Sequence, residues 1–341
     1  MERGYENGLV QGNTVGLSSG LHGGRFGHTM PKRLNMLDPS TIRDPKRNPV
    51  FYINSESANV LLNSGSVETC YNQVDSISNQ ILQKVENVVT QTAGTTYRPP
   101  LVLNGLGGKN YMNFGDTANR YLETNTLAQM YCTINSPTGV YASGTGFTYM
   151  FVIRRAPGST GTVSILDGRD STTIQGTNDI LLELNGNNAI TFDYRGGQGG
   201  LVTNIIGTAG TGLLTDWSIV TVKCQLRIDG GPLPLDNQFS PYKRYDMPRD
   251  NRVGLTSPID IFVNGVEQQK TITTNNFTNA DHFGDGSYRM LDRQVFIGNK
   301  GSVFGTSGTH IAAVLMIPAY IDKSFQQRIE NYFRHYYNKP F

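Results

Sequence analysis

Short runs of apolar and β-branched residues, separated by glycine and asparagine, recur along most of the chain. Val50-Phe51-Tyr52-Ile53 opens the series. It continues at Leu101–Leu103, Tyr111–Phe114, Phe147–Ile153, Val163–Leu166, Ile180–Leu184, Ile190–Tyr194, Val202–Ile206, Ser218–Leu226, Ile259–Val263, Gln294–Ile297 and Ile311–Ile317. Several of these alternate, as Ile190-Thr191-Phe192-Asp193-Tyr194 does, and alternation is the mark of a strand with one face buried. Many short strands with turn signals between them predict an all-β, antiparallel two-sheet sandwich of the jelly-roll kind.

Two segments carry a helical period instead. Val74–Thr90 has Ile77, Ile81, Leu82, Val85 and Val89 at helix spacing, among many serines, asparagines and glutamines. From Asp322 to about Tyr337, Phe325, Ile329, Tyr332, Phe333 and Tyr336 form one apolar stripe, with a capping box from Ser324 to Gln327. The stripe reads as core packing.

Residues 1–48 follow neither pattern. Glycine stands at Gly4, Gly8, Gly12, Gly16, Gly20 and Gly24, every fourth position. Glycine loses the most entropy on ordering, so this stretch cannot fold unaided. It reads as a solvated tail or as a docking arm. The regular register favours the arm, as do the interleaved apolar anchors Leu9, Val15, Leu17, Leu21 and Phe26. Pro31, Pro39, Pro45 and Pro49 keep the following stretch extended. The expected division is therefore an arm over 1–48 and one domain over 49–341. The loop Asp229–Val253 is long for a compact domain. It carries Tyr242, Lys243, Arg244 and Tyr245, which read as a solvated loop or a partner contact.

Composition supports the β reading and narrows the function. Of the 341 residues 39 are glycine, and only 16% are charged against the usual quarter or so. The net charge of +2 gives no case for nucleic acid. Cys70, Cys132 and Cys224 are dispersed, with no CxxC spacing, which argues against zinc and redox motifs. The first 30 residues lack an apolar core segment, so no signal peptide and synthesis in the cytoplasm are expected. The apolar run Ile311–Tyr320 is too short to span a bilayer.

Catalytic patterns are absent. There is no Gly-x-Ser-x-Gly elbow and no HExxH. Gly107-Gly108-Lys109 lacks the earlier glycine of a phosphate loop and reads as a β-turn. The histidines are scattered. No cofactor is expected, with calcium left open at the acidic turns Asp167–Asp170 and Asp281–Asp285. Sugar binding would need an exposed aromatic among Tyr194, Trp217 and Tyr242.

A resemblance sharpens this. Pro49-Val-Phe-Tyr-Ile-Asn54, Val74-Asp75 and Gln91…Arg98-Pro99 lead into Leu103-Asn-Gly-Leu-Gly-Gly-Lys109…Met112-Asn-Phe114. Tyr149–Ile153, Ile259-Asp-Ile-Phe-Val-Asn-Gly265, Val295–Gly298, Ile311–Leu315 and Ile329–Tyr337 follow in order. Together they resemble concanavalin A-like (laminin G-like) lectin/glucanase domains over about 49–341, which implies a jelly-roll sandwich. The glucanase branch needs a Glu-x-Asp-x-x-Glu-like run of alternate carboxylates, and none occurs. Asp179 with Glu183, and Asp260 with Glu267, have the wrong spacing, so no enzyme activity is expected. The arm resembles Gly-Leu-x-Asn-Gly repeats at the start of virion proteins of large double-stranded DNA viruses, although asparagine occurs only at Asn7 and Asn13. That resemblance implies a non-enzymatic minor capsid protein located in the virion. It would contact other capsid proteins, or copies of itself, through its sandwich and through Leu9, Leu17, Leu21, Phe26, Tyr242, Lys243, Arg244 and Tyr245. The alternative is a carbohydrate-binding, lectin-like module for host attachment, with a glycan as partner.

Overall fold

The computed structural model describes residues 35–43, 47, 49, 51–74, 87–90, 97–115, 120–124, 146–168, 179–196, 203–210, 214–225, 259–275, 296–298, 308–317 and 320–341. Eighteen strands and one α-helix lie among them. The strands are β1 (Phe51–Asn54), β2 (Val60–Asn63), β3 (Ser66–Tyr71), β4 (Asn87–Thr90), β5 (Leu101–Leu106), β6 (Lys109–Asn113), β7 (Tyr121–Thr124), β8 (Gly146–Arg155) and β9 (Val163–Asp167). They continue with β10 (Asp179–Leu184), β11 (Ile190–Gly196), β12 (Thr203–Ala209), β13 (Ser218–Gln225), β14 (Ile259–Val263), β15 (Val266–Glu267), β16 (Lys270–Asn275), β17 (Phe296–Gly298) and β18 (Thr309–Ile317). The helix α1 (Lys323–Tyr336) closes the chain.

The strands form two antiparallel sheets. An eight-stranded sheet runs β15-β14-β13-β8-β18-β6-β5, with β1 beside β18 beyond the end of β6. A ten-stranded sheet runs β16-β12-β11-β10-β9-β17-β7-β4-β3-β2. Alternation sends Tyr149, Phe151 and Ile153 of β8, and Val220 and Val222 of β13, into a shared core. Leu182, Leu184, Ile190 and Phe192 of the other sheet meet them there. The protein is thus an all-β sandwich with a C-terminal helix. A bulge between Ile311 and Ala313 lets Ile311 and Val314 both enter that core.

The opposite face of the eight-stranded sheet is apolar too, and α1 covers it. Met150, Val152, Ile219, Leu315 and Ile317 pack against Phe325, Ile329, Phe333 and Tyr337. Each such side chain contributes roughly 1.5–3 kcal/mol on burial. Asp322 caps the helix, accepting from the Phe325 amide at 2.8 Å. The cap therefore lies two residues before the expected Ser324. Buried Glu330 anchors the helix by accepting from Gln326 at 2.8 Å and from Thr221 of β13 at 3.4 Å.

The proline-rich stretch before β1 also docks on this layer. The Leu37 amide donates to the Arg328 carbonyl at 3.0 Å, Ile42 is buried, and the Arg47 guanidinium lies 5.0 Å from the Phe325 ring centroid. The helix expected over Val74–Thr90 is corrected at its end: Asn87–Thr90 is a strand paired with β3 and β7. Residues 75–86 lie outside the described residues.

The tightest turns use left-handed backbone. Asn264 and Gly265 (φ 56° and 83°) join β14 to β15, and Gly107 and Gly108 (φ 55° and 84°) join β5 to β6. The second of these is the β-turn expected for Gly107-Gly108-Lys109.

Candidate functional site

Beyond the C-terminal end of α1, the helix-covered face of the eight-stranded sheet changes character. Alternation that places Met150 and Val152 on this face also places Arg154 there. His310 of β18 lies directly opposite Arg154 in the register. Trp217, just before β13, and Tyr111 of β6 belong to the same buried layer. Gly105 of β5 leaves room for the Tyr111 ring, which a Cβ at that position would strike.

These four side chains form one platform. The Arg154 guanidinium carbon sits 5.1 Å from the Trp217 ring centroid and 5.6 Å from that of Tyr111. Arg154 Nε donates to His310 Nδ1 at 3.0 Å. His310 therefore holds its Nδ1 unprotonated, as the acceptor. Tyr111 stacks on His310 at 4.8 Å and meets Trp217 edge-on at 5.1 Å. Guanidinium over aromatic faces is a favourable arrangement worth roughly 0.5–2 kcal/mol per contact.

At the rim stands Asp216, whose side chain is 71% exposed. Its oxygens accept from Lys339 Nζ at 2.8 and 2.9 Å, and Oδ1 also accepts from the Trp217 amide at 2.7 Å. The Lys339 hydrogen bond, then that amide, with Arg154 adding a smaller pull, hold the Asp216 carboxyl below its usual range. Two cations and one carboxylate thus surround an aromatic floor.

Trp217 itself is only 4% exposed, so its ring floors the site and cannot serve as the open sugar-stacking face considered from the sequence. For Tyr194 only the backbone of β11 is described, and Tyr242 lies outside the described residues. So do Leu9, Leu17, Leu21, Phe26, Lys243, Arg244 and Tyr245.

A second cation rests on rings at the far end of the same face. Lys223 Nζ lies 4.4 Å from the Phe262 centroid and 4.7 Å from that of Tyr320, and donates to the Ile321 carbonyl at 3.4 Å. This lysine is buried, so it closes the layer and presents nothing outward.

Carboxylates align across strands rather than along one. Glu123 of β7, Asp167 of β9 and Asp193 of β11 fall in one register row, with Phe296 and Leu181 between them. The strand neighbours Leu122, Ile297, Leu182 and Phe192 enter the inter-sheet core, so this row faces the other way. Asp167 and Asp193 are buried. Burial first, and the Glu123 charge second, push the nearby Tyr121 phenol up to about 12. Of the pairs noted in the sequence, Asp260 and Glu267 share Lys270, at 2.7 and 3.5 Å.

Among the described residues no group of three His, Cys, Asp or Glu side chains could hold a metal ion, and of the acidic turn at 167–170 only Asp167 and Gly168 are described. No helix among them is long and apolar enough to cross a membrane.

The molecule is, by class, an antiparallel β-sandwich with a helix-covered sheet and an arginine–aromatic platform at one end. No protein-family profile matches the chain, and no curated protein sequence matches it. Among solved structures it is similar to the botulinum neurotoxin serotype D binding domain (11% identity, TM-score 0.46, 84% of this chain and 51% of that one). It is similar as well to the serotype D ligand-binding domain in complex with N-acetylneuraminic acid (10%, TM-score 0.44, 83% and 50%). A third is Trypanosoma rangeli sialidase (12%, TM-score 0.42, 84% and 33%). The chain spans about half the length of the neurotoxin domains and a third of the sialidase.

Proposed function

We propose that this chain is a carbohydrate-binding module that holds its ligand without chemically altering it. The observation that carries the reading is the Arg154 platform. A guanidinium is held over the Trp217 and Tyr111 rings, and the Asp216–Lys339 pair stands beside it. Binding sites fix their ligands through a few polar groups held in place beforehand, and here these stand over a buried aromatic floor. The sandwich implied by the lectin-like segments accords with this use. The non-enzymatic part rests on the burial of Asp167 and Asp193, which leaves no open pair of carboxylates there for acid and nucleophile.

The test is a glycan array probed with the whole chain, followed by incubation with the retained polysaccharides. Retention that falls in Arg154→Ala and persists in Lys270→Ala is the expected result. Absence of retention on every glycan would overturn the reading, and release of reducing ends would overturn its non-enzymatic part.

A second reading is a structural component of a virus particle, made in the cytoplasm and joined to other capsid proteins. The fourfold glycine register of residues 4–24 favours it. So do Leu61 and Leu62, exposed on β2 at the end of the observed strand order. Apolar side chains on an open edge promote association. Limited proteolysis decides: cleavage within residues 1–48 in the free protein, with protection in particles, supports this reading, and equal cleavage in both refutes it.

A further inference from the structure

We infer that the platform selects ligands bearing a carboxylate, which within the glycan-binding reading, on which this inference rests, means an acidic sugar. A guanidinium carries five N–H donors. In Arg154 one of them, on Nε, goes to His310. Among the described residues Arg154 makes no other hydrogen bond, and its two terminal nitrogens are not among the buried unpaired atoms. Those nitrogens therefore reach solvent with their donors open.

Their direction is set by three contacts: the Trp217 ring, the Tyr111 ring and the His310 nitrogen. An arginine oriented in this way offers two parallel N–H groups along one edge, the geometry that a planar carboxylate matches with two hydrogen bonds. Asp216 is close enough for Arg154 to lower its pKa, yet it does not occupy that edge. Its oxygens are engaged by Lys339 and by the Trp217 amide. The nearest internal carboxylate is thus held aside, and Arg154 with Lys339 against Asp216 leaves one net positive charge to draw an anion. Lys339 and Asp216 can meet the hydroxyls of the same sugar.

The experiment uses the full chain on an array of hexuronic-acid and sialic-acid oligosaccharides, their methyl esters, sulfated glycans and neutral glycans. Esterification keeps the sugar and removes only the anion. Retention of the free acids, falling at least tenfold on the esters, is expected. Arg154→Lys keeps the charge but not the paired donors, and roughly a tenfold loss is expected from it, with a larger loss from Arg154→Gln. An unchanged thermal midpoint certifies each variant, and the comparison of acid with ester on the unaltered chain decides if a variant fails to fold. Equal binding of acid, ester and neutral glycan would overturn the inference and leave the glycan reading standing. Retention of sulfated glycans alone would do the same. Retention of nothing would overturn both.

Discussion

Gly107→Ala and Gly108→Ala separate two costs that a hairpin turn usually combines. Both glycines hold positive φ, 55° and 84°. A side chain in left-handed backbone costs roughly 1–2 kcal/mol at either position. Only one also meets an obstacle. A Cβ on Gly108 has open space, whereas a Cβ on Gly107 overlaps the backbone carbonyl of Tyr337, where α1 ends. Relief requires the turn or the helix end to move, and overpacking of that kind adds about 1–3 kcal/mol. Gly108→Ala should therefore cost about 1–2 kcal/mol and Gly107→Ala about 2–5 kcal/mol. With a urea slope of about 3 kcal/mol/M, the midpoints fall by about 0.3–0.7 M and 0.7–1.7 M. Urea unfolding followed by Trp217, the sole tryptophan, reads both. Equal midpoints for the two variants would show that α1 is not seated on this turn, and the argument from packing would fail. The same displacement carries Lys339 away from Asp216, so Gly107→Ala should also weaken glycan retention more than Gly108→Ala.

Glu330→Ala removes the acceptor of Gln326 and Thr221 and the partner of Arg334, so a loss of about 2–3 kcal/mol in urea unfolding is expected, and a loss under 0.5 kcal/mol would deny its anchoring role. Asp216, depressed below its ordinary pKa mainly by Lys339, stabilises the fold at pH above the usual carboxylate range and loses that contribution as pH falls through its lowered value. The group is largely exposed, so the effect stays below about 1 kcal/mol, and Asp216→Asn should flatten that acid limb of the thermal midpoint against pH. Burial raises the Cys70 thiol to about 12, so iodoacetamide at pH 8 should leave the Cys70 peptide unlabelled until urea unfolds the chain. Labelling at the rate of a free thiol would contradict its buried position.

The sequence pattern located strands wherever one face is strongly apolar. Ile190-Thr191-Phe192-Asp193-Tyr194 is β11, with Ile190 and Phe192 in the core as the alternation requires. Strands at both ends of the larger sheet, β16 at one and β2, β3 and β7 toward the other, were not legible. β2 and β7 are short, and in β3 Ser66-Val67-Glu68-Thr69-Cys70-Tyr71 mixes polar residues into both faces. In Asn87–Thr90, valine at helix spacing concealed a strand whose pairing comes from β3 and β7. The prolines between Met30 and Pro49 read as extended backbone, whereas Pro39–Thr41 forms a single 3-10 turn capped by Asp38. They could not signal that Leu37 and Ile42 dock on α1, because docking depends on a helix almost three hundred residues further on. The platform was hidden for the same reason: Arg154 and His310 are 156 positions apart, and only strand register brings them opposite each other. One signal was present, an arginine at the outward position of an otherwise apolar strand, Tyr149-Met150-Phe151-Val152-Ile153-Arg154.

Why an arginine stands at that position follows from what the face must do. Its apolar layer extends past the reach of α1, and at both ends a cation laid over aromatic rings completes the cover. At one end Lys223 does this, with Phe262 and Tyr320 beneath its ammonium and the Ile321 carbonyl accepting from it. An ammonium is compact, and that end is closed. At the other end the guanidinium of Arg154 is wide and planar and lies over the Trp217 and Tyr111 rings, while its donors project along its edges. One edge meets His310, and the sheet supplies no acceptor for the rest among the described residues. The same side chain that shields the rings from water thus carries an unfilled fork into water. A lysine at position 154 could provide the shield and the charge, but not the pair of oriented donors. The arginine's shape, rather than its charge alone, makes this end of the sandwich a site.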